Sequence, residues 1–303
     1  MKTCLIIYNP ESGKKVKKNK LLKVREIIRS YNYKVTIMES RYENHIEKIV
    51  EDAPFFDLVL AIGGDGTYNE LANGNLKRKK PLVMSILPNG STNDAAHMYG
   101  MTNNIIKSTK LLMEGEVKNT DLLKANNKVF TYVMGSGKFL DVSYKTSRKE
   151  KSKFGYLAYI YRGFKSFFSK TKLFPVKVKI DGKIYKKNLS LFLISNSNRI
   201  AGFNFYNDTK LDDGKFEFLM TDSKFHNKIY KLLYYFFSYQ IGSLPNFERI
   251  RTDNLEIRVN TRDDEFSMDG EYYSEKVGTY KISVVKNVSI LMPKNNIDKN
   301  FLK

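Results

Sequence analysis

A strand that ends in a cluster of glycines constrains this chain more than any other feature. Leu58-Val59-Leu60-Ala61-Ile62 is a continuous run of strand-forming apolar residues, and it breaks at once into Gly63-Gly64-Asp65-Gly66-Thr67. An uninterrupted apolar strand is buried on both faces, which calls for a parallel sheet with helices above and below. The surrounding sequence alternates accordingly. "CLIIYN" reads as a strand, and "KNKLLKVREIIRSY" as a helix from the spacing of Leu21, Leu22, Ile27 and Ile28. "KVTIME" is a strand, "HIEKIVED" a short helix, "TYNELANG" a helix closed by Gly74, and "LVMSILP" a further strand. Residues 1–122 are thus expected to form an α/β domain whose parallel sheet is flanked by helices.

The rhythm then changes. "KVFTYVMGSG", "GKFEFLMTD", "NLEIRVN", "EFSMDGEYY" and "TYKISVVKNVSILMP" are strand candidates joined by short turns. Between "VKVKI" and "KIY" stands Asp181-Gly182, a pair suited to a type I′ hairpin turn. Residues 123–303 are therefore expected to form a largely antiparallel β-sandwich, interrupted by helices over Lys153 to Lys170 and Lys224 to Gly242. The sequence leaves open whether the last strand returns to the first domain.

Composition narrows the setting. At 303 residues, with 42% hydrophobic content, the chain can build two cores and is not a disordered protein. Its one cysteine, Cys4, falls in an apolar strand; it excludes an intrachain disulfide and a cysteine zinc site and fits a reducing, cytoplasmic setting. No apolar run is long enough to span a bilayer. The formal net charge of +20 draws a protein toward phosphate-bearing partners, meaning nucleic acid or an anionic membrane surface. Basic runs occur at Lys14 to Lys20, Lys77 to Lys80 and Arg148 to Lys153, with no zinc-finger, RRM or helix-turn-helix pattern beside them. A peripheral membrane protein is expected and a nucleic-acid binder is not. Lysine supplies 41 of the 52 basic residues, so compositional drift is the bland alternative.

A glycine-rich turn between a buried strand and a helix lets backbone N–H groups converge on phosphate oxygens. Gly63, Gly64 and Gly66 permit close approach and positive φ, and Thr67 is placed to cap the helix. Asp65 is the odd member, since a carboxylate repels phosphate unless a metal ion lies between them; that points to a Mg²⁺-bound nucleotide. A Walker loop fails at Tyr8 and Lys15, and a dinucleotide fingerprint fails at Asn69. Two more polar turns follow strands, "YNPESGKK" from Tyr8 and "LPNGSTND" from Leu87. Ligands of open α/β sheets bind at that carboxyl edge, so the three loops read as one nucleotide site. Late in the chain, "FSMDGEYY" adds Asp269 and Glu271 as candidates for accepting a hydroxyl proton, Glu271 first; an Asp-Gly hairpin turn is the structural alternative. His45, His97 and His226 have no metal spacing, and Ser136 is not in a nucleophile elbow.

N-P-x-S-G, G-G-D-G-T-x-N-E, P-x-G-[ST]-x-N-D and M-D-G-E, in that order, resemble the diacylglycerol kinase-type lipid kinases, a family that includes sphingosine and ceramide kinases. The resemblance implies ATP held by Asn9, Pro10, Glu11, Ser12, Gly13 and Lys14, by Gly64, Asp65, Gly66, Thr67, Tyr68, Asn69 and Glu70, and by Ser40 and Ser91. It implies catalytic Mg²⁺ near Asp65, Asp94 and Asp121. It further implies a structural Mg²⁺ at "TKLDDGKFEF", through the Asp213 side chain and the carbonyls of Lys210 and Lys215. The expected activity is phosphoryl transfer from ATP to a lipid hydroxyl, foremost that of diacylglycerol, at an anionic membrane surface; a homodimer is admitted. Other lipid alcohols, an NAD kinase-like enzyme and a non-catalytic nucleotide-binding protein are the alternatives. The aromatic and basic helix from Lys153 suits interfacial contact.

Overall fold

Apolar runs, glycine breaks and Asp-Gly pairs set out the architecture of the chain, seen here in a computed structural model that describes residues 1–10, 16–137, 171–200, 202–206, 208–223, 246–259, 266–273, 278–294 and 301. The helices expected from Lys153 and Lys224 lie outside the described residues. The chain divides into two compact units: Met1–Asp121 with Lys286–Lys303, and Leu122–Val285.

The first unit alternates β1 (Lys2–Tyr8), α1 (Lys18–Ser30), β2 (Tyr33–Glu39), α2 (His45–Asp52), β3 (Leu58–Gly63), α3 (Asp65–Lys77) and β4 (Met84–Pro88). Helices α4 (Asp94–Met98) and α5 (Ile105–Met113) follow, and β5 (Glu116–Ala125) leads into the second unit. The parallel strands run in the order β2-β1-β3-β4. Every residue of β3 and β4 is buried, as strands covered on both faces must be. Cys4 lies within this core, where burial pushes its thiol up to about 12. Strand order reverses at β1, so the crevice open to ligands falls at the carboxyl ends of β1 and β3. Tyr8 lies opposite Ile62, and Gly63 opposite Pro88, which brings the carboxyl ends of β1, β3 and β4 level with one another.

Helix α3 departs from expectation at both ends. It starts at Asp65 and runs through Gly74 to Lys77. Gly74 is no terminator: a Cβ there would lie 2.2 Å from the carbonyl oxygen of Glu47 in α2. The glycine lets two helices touch backbone to backbone.

The second unit contains β6 (Lys128–Phe130), β7 (Val133–Gly137), β8 (Phe174–Ile180), β9 (Lys183–Leu189), β10 (Leu191–Ser195), β11 (Arg199–Ile200) and β12 (Phe203–Asn204). It continues with β13 (Phe216–Thr221), β14 (Glu248–Thr252), β15 (Asn254–Val259), β16 (Phe266–Met268), β17 (Glu271–Tyr273) and the start of β18 (Thr279–Met292). One antiparallel sheet has the order β14-β13-β10-β7-β16-β17, and another set runs β18-β15-β8-β9. Side chains of both meet in one core: Val176, Val178 and Ile257 from one sheet, Phe192, Phe218 and Phe266 from the other. This is the expected sandwich. The Asp181-Gly182 turn also forms, with both residues at positive φ.

Residues 286–292 of β18 belong to the first unit, where Ile290 pairs with Met84 in parallel. The last strand thus serves both units in turn.

Candidate functional site

In the first unit, the turns after β3 and β4 are fastened together by their backbones. The Asn89 N–H donates to the Gly63 carbonyl at 2.8 Å. A Cβ on Gly90 would fall 2.5 Å from the Gly64 Cα, so that crossing requires glycine. None of Gly63, Gly64 and Gly66 adopts positive φ; close approach, not left-handed backbone, is what the first two supply. The left-handed residue is Asn93, at φ 52°. Its side chain folds back on the turn, accepting from the Gly90 N–H at 2.7 Å and donating to the Gly90 carbonyl at 3.1 Å.

That fold-back aims α4 at Asp65. The Asp65 carboxylate accepts from the Ala95 N–H at 2.9 Å and from the Thr92 hydroxyl at 3.0 Å. Asp94 is wholly buried beside it. Burial first, and then the Asp94 charge, raise the Asp65 carboxyl from 3.8 to about 7, against the pull of its hydrogen bonds. Two carboxylates in one dry place are costly unless a proton or a cation is shared between them.

The other expected nucleotide residues separate into distinct environments. Asn9 and Pro10 end β1, Ser40 is buried at the end of β2 with its N–H on the Tyr8 carbonyl at 2.9 Å, and Ser91 is exposed. Glu11, Ser12, Gly13 and Lys14 lie outside the described residues. Thr67 does not cap α3; Gly64 holds that position, and Thr67 packs on Gly63, where a Cβ would lie 2.3 Å from its hydroxyl oxygen. Tyr68 is fully buried, edge-on to Tyr99. The Asn73 amide donates to Asn69, and Glu70 accepts from the Ile46 N–H at 3.1 Å in the first turn of α2. Past Thr67, Tyr68 and Glu70 therefore join α3 to its neighbours, while Asn69 pairs within the helix. Asp121 is buried in β5.

A cavity of about 680 Å³ adjoins the end of β4, lined by Pro88, Asn89 and the first turns of α5 together with Lys20, Lys107 and Lys110. Lys20 closes the first basic run of the sequence, whereas Lys107 and Lys110 carry no motif that sequence reasoning could have found. Thr92 and Asn93 were legible in retrospect, since a left-handed Asn after a glycine is a recurrent turn device.

In the second unit, Asp269 and Gly270 have φ of 49° and 83° and make the two-residue hairpin turn between β16 and β17. The turn sends its two acids apart. Asp269 is buried, and its carboxylate accepts from the N–H groups of Thr131 (2.6 Å), Tyr132 (3.0 Å) and Val133 (3.2 Å) and from the Thr131 hydroxyl (2.8 Å). Glu271 is exposed at the head of β17.

The chain has relatives among known proteins. Residues 3–125 match the model of the diacylglycerol kinase catalytic domain. A diacylglycerol kinase of Staphylococcus aureus is 30% identical over 224 residues, covering 73% of this chain and 71% of that one. The chain belongs to the diacylglycerol kinase family. Diacylglycerol kinase of Bacillus subtilis is 27% identical over 306 residues, 99% of either chain. In fold, a diacylglycerol kinase from Bacillus anthracis superposes with a TM-score of 0.77 over 97% of this chain and 98% of that one, at 23% identity. The protein is thus an enzyme of the lipid kinase type.

The two expected metal positions fare differently. Asp65 and Asp94 fit a hard divalent cation: both are buried, both are carboxylates, and their mutual repulsion is what such an ion relieves. At the turn Lys210–Lys215 the Asp213 carboxylate is engaged by protein partners. One Asp213 oxygen accepts from the Lys215 N–H at 2.9 Å and the other meets the Arg251 guanidinium. Arg249 pairs with Asp208 at 2.9 Å and with buried Glu217 at 2.7 Å. Arginines therefore balance the acids around this turn, and Gly214, at φ 71°, closes it as a plain Asp-Asp-Gly bend. Among the described residues, no group of three or more His, Cys, Asp or Glu side chains is arranged to hold a metal.

Proposed function

We propose that the protein is an ATP- and Mg²⁺-dependent kinase that converts diacylglycerol to phosphatidate. The observation that carries this reading is the buried Asp65–Asp94 pair beneath the Gly63–Gly64 and Gly90 backbone crossing. The backbone at Gly64–Thr67, with Asn9–Lys14 and Ser91, holds the phosphates, and Lys20, Lys107 and Lys110 draw the nucleotide anion inward. Asp65 and Asp94 would hold the metal; Asp121, buried in β5, forms no group of three with them. When bound, Mg²⁺ neutralises charge on the transferring phosphoryl group.

Glu271 takes the proton of the lipid hydroxyl. As the hydroxyl oxygen bonds to the γ-phosphorus, the bond from that phosphorus to the bridging oxygen breaks, and ADP leaves with the electron pair. Asp269 is the positioning residue: it pins the turn that carries Glu271 and has no oxygen left over for proton transfer. The enzyme meets its lipid at the surface of an anionic membrane. No helix among the described residues is long and apolar enough to cross a membrane. The test is phosphorylation of a lipid panel with labelled ATP in neutral detergent micelles. Phosphatidate as the main product, abolished by Glu271→Gln, is expected; a phosphorylated sphingoid base or NADP instead would overturn the substrate assignment.

A further inference from the structure

The outward face of the β18-β15-β8-β9 sheet in the second unit carries charge that packing does not explain. Strand pleating turns Val176, Val178 and Ile180 of β8 inward, with Leu255, Ile257 and Val259 of β15. The alternate positions face solvent, and their register forms two rows. Lys186 lies opposite Lys177, Lys177 opposite Arg258, and Arg258 opposite Thr279. Ile184 lies opposite Lys179, Lys179 opposite Glu256, and Glu256 opposite Lys281. Lys177, Lys179, Lys186, Arg258 and Lys281 are all exposed, and Glu256 is the one acid within the two rows.

Like charges directly opposite on a sheet are destabilising. Lys177 is flanked in register by a cation on each side, yet either sign of charge, or a hydroxyl, would keep this face soluble. Among the described residues none of the five cations makes an ion pair. Ile184, 55% exposed, stands among the lysines. Tyr185 points to the other side with Val178, so no aromatic ring stands in these rows for a nucleic-acid base to stack on. Multiply cationic and bearing one apolar side chain, the surface complements a layer of anionic lipid headgroups.

We propose that this sheet face docks the protein on anionic membrane, a proposal that rests on the reading of the protein as a lipid kinase and specifies where it meets its substrate surface. The test is cosedimentation, without ATP, on vesicles of phosphatidylcholine with a third phosphatidylglycerol, at low and at physiological salt. Lys177→Glu, Lys179→Glu and Lys186→Glu are combined in one variant. Its control carries the same charge change on exposed lysines of the first unit: Lys18→Glu, Lys34→Glu and Lys79→Glu. A basic residue near such a surface contributes about 1 kcal/mol, so removing three cations should weaken binding roughly 100-fold, while the control retains most of it. A triple Lys→Gln variant with the wild-type melting temperature separates lost docking from lost folding.

Equal loss in the two charge variants would assign binding to net charge and overturn the face. Binding equal to wild type in the sheet variant would overturn it as well. Tighter, sheet-dependent binding to a duplex oligonucleotide would replace the membrane with nucleic acid. Phosphorylation in neutral micelles is read separately: its absence from the wild type sinks the kinase reading, whereas unchanged micellar turnover in the sheet variant, with vesicle binding lost, is what docking predicts.

Discussion

Asp65 is the residue at which folding and function pull in different directions. Its carboxyl is raised from 3.8 to about 7 by burial and by Asp94. Between those values the native state keeps the proton that the unfolded chain has lost. Stability is therefore full below the lower value and declines as pH rises toward the upper one. Each pKa unit corresponds to about 1.4 kcal/mol, so Asp65→Asn should stabilise the metal-free protein at pH 8 by on the order of 2–4 kcal/mol and leave it nearly unchanged at pH 4. Urea melts at the two pH values read this directly. Mg²⁺ should stabilise the wild type and not the variant, and the variant should lose phosphoryl transfer. A variant with flat pH dependence relative to wild type would show that no charge is frustrated there. The acids of the late turn should behave in opposite ways. Asp269→Ala strands three buried N–H donors, each costing about 1–3 kcal/mol, and should lower stability severely. Glu271→Gln lies on the surface and should change stability by less than about 0.5 kcal/mol while abolishing turnover.

At the scale of elements, legibility depended on how far away a residue's partners lie. The strands of the parallel sheet could be read because burial on both faces writes itself into consecutive residues, as in Leu58–Ile62. The Asp181-Gly182 hairpin could be read because its turn chemistry is local. The end of α3 could not, because the reason for Gly74 is the Glu47 carbonyl of another helix. The buried bonds of Asp269 could not be read either, because Thr131, Tyr132 and Val133, which donate to it, are more than a hundred residues away. The partner of Asp213 was equally hidden, because Arg251 arrives from β14. Gly74 offers a test in which two magnitudes oppose each other. Alanine in a helix interior gains about 1 kcal/mol over glycine, but here its Cβ would stand 2.2 Å from backbone oxygen. Forced separation of packed elements costs about 1–3 kcal/mol, so Gly74→Ala should be net destabilising by up to about 2 kcal/mol. A rise in melting temperature would mean that α2 and α3 move apart freely.

At the scale of the molecule, the span that matches the catalytic-domain family and the span that forms a physical unit are different. The family match ends at residue 125, whereas the first compact unit includes Lys286–Lys303. Val288, Ile290, Leu291, Met292 and Phe301 of that returning segment are buried, and Ile290 pairs with Met84. The Gly115 Cα is pressed so close to the Met292 carbonyl that a Cβ would lie 2.1 Å from it. Ser289 donates to Asn119 at 3.0 Å, and the Lys118 ammonium sits 4.7 Å from the Phe301 ring centre. Burying one such apolar side chain contributes about 1.5–3 kcal/mol, so the segment supplies an amount comparable to the roughly 5–15 kcal/mol that stabilises a whole domain. Residues 1–125 expressed alone should therefore lack a cooperative urea transition and a near-ultraviolet dichroism signal. Joining residues 286–303 to them through a flexible linker should restore both. Cooperative unfolding of 1–125 alone, at a midpoint close to that of the linked form, would show that the returning strand decorates the sheet without completing it.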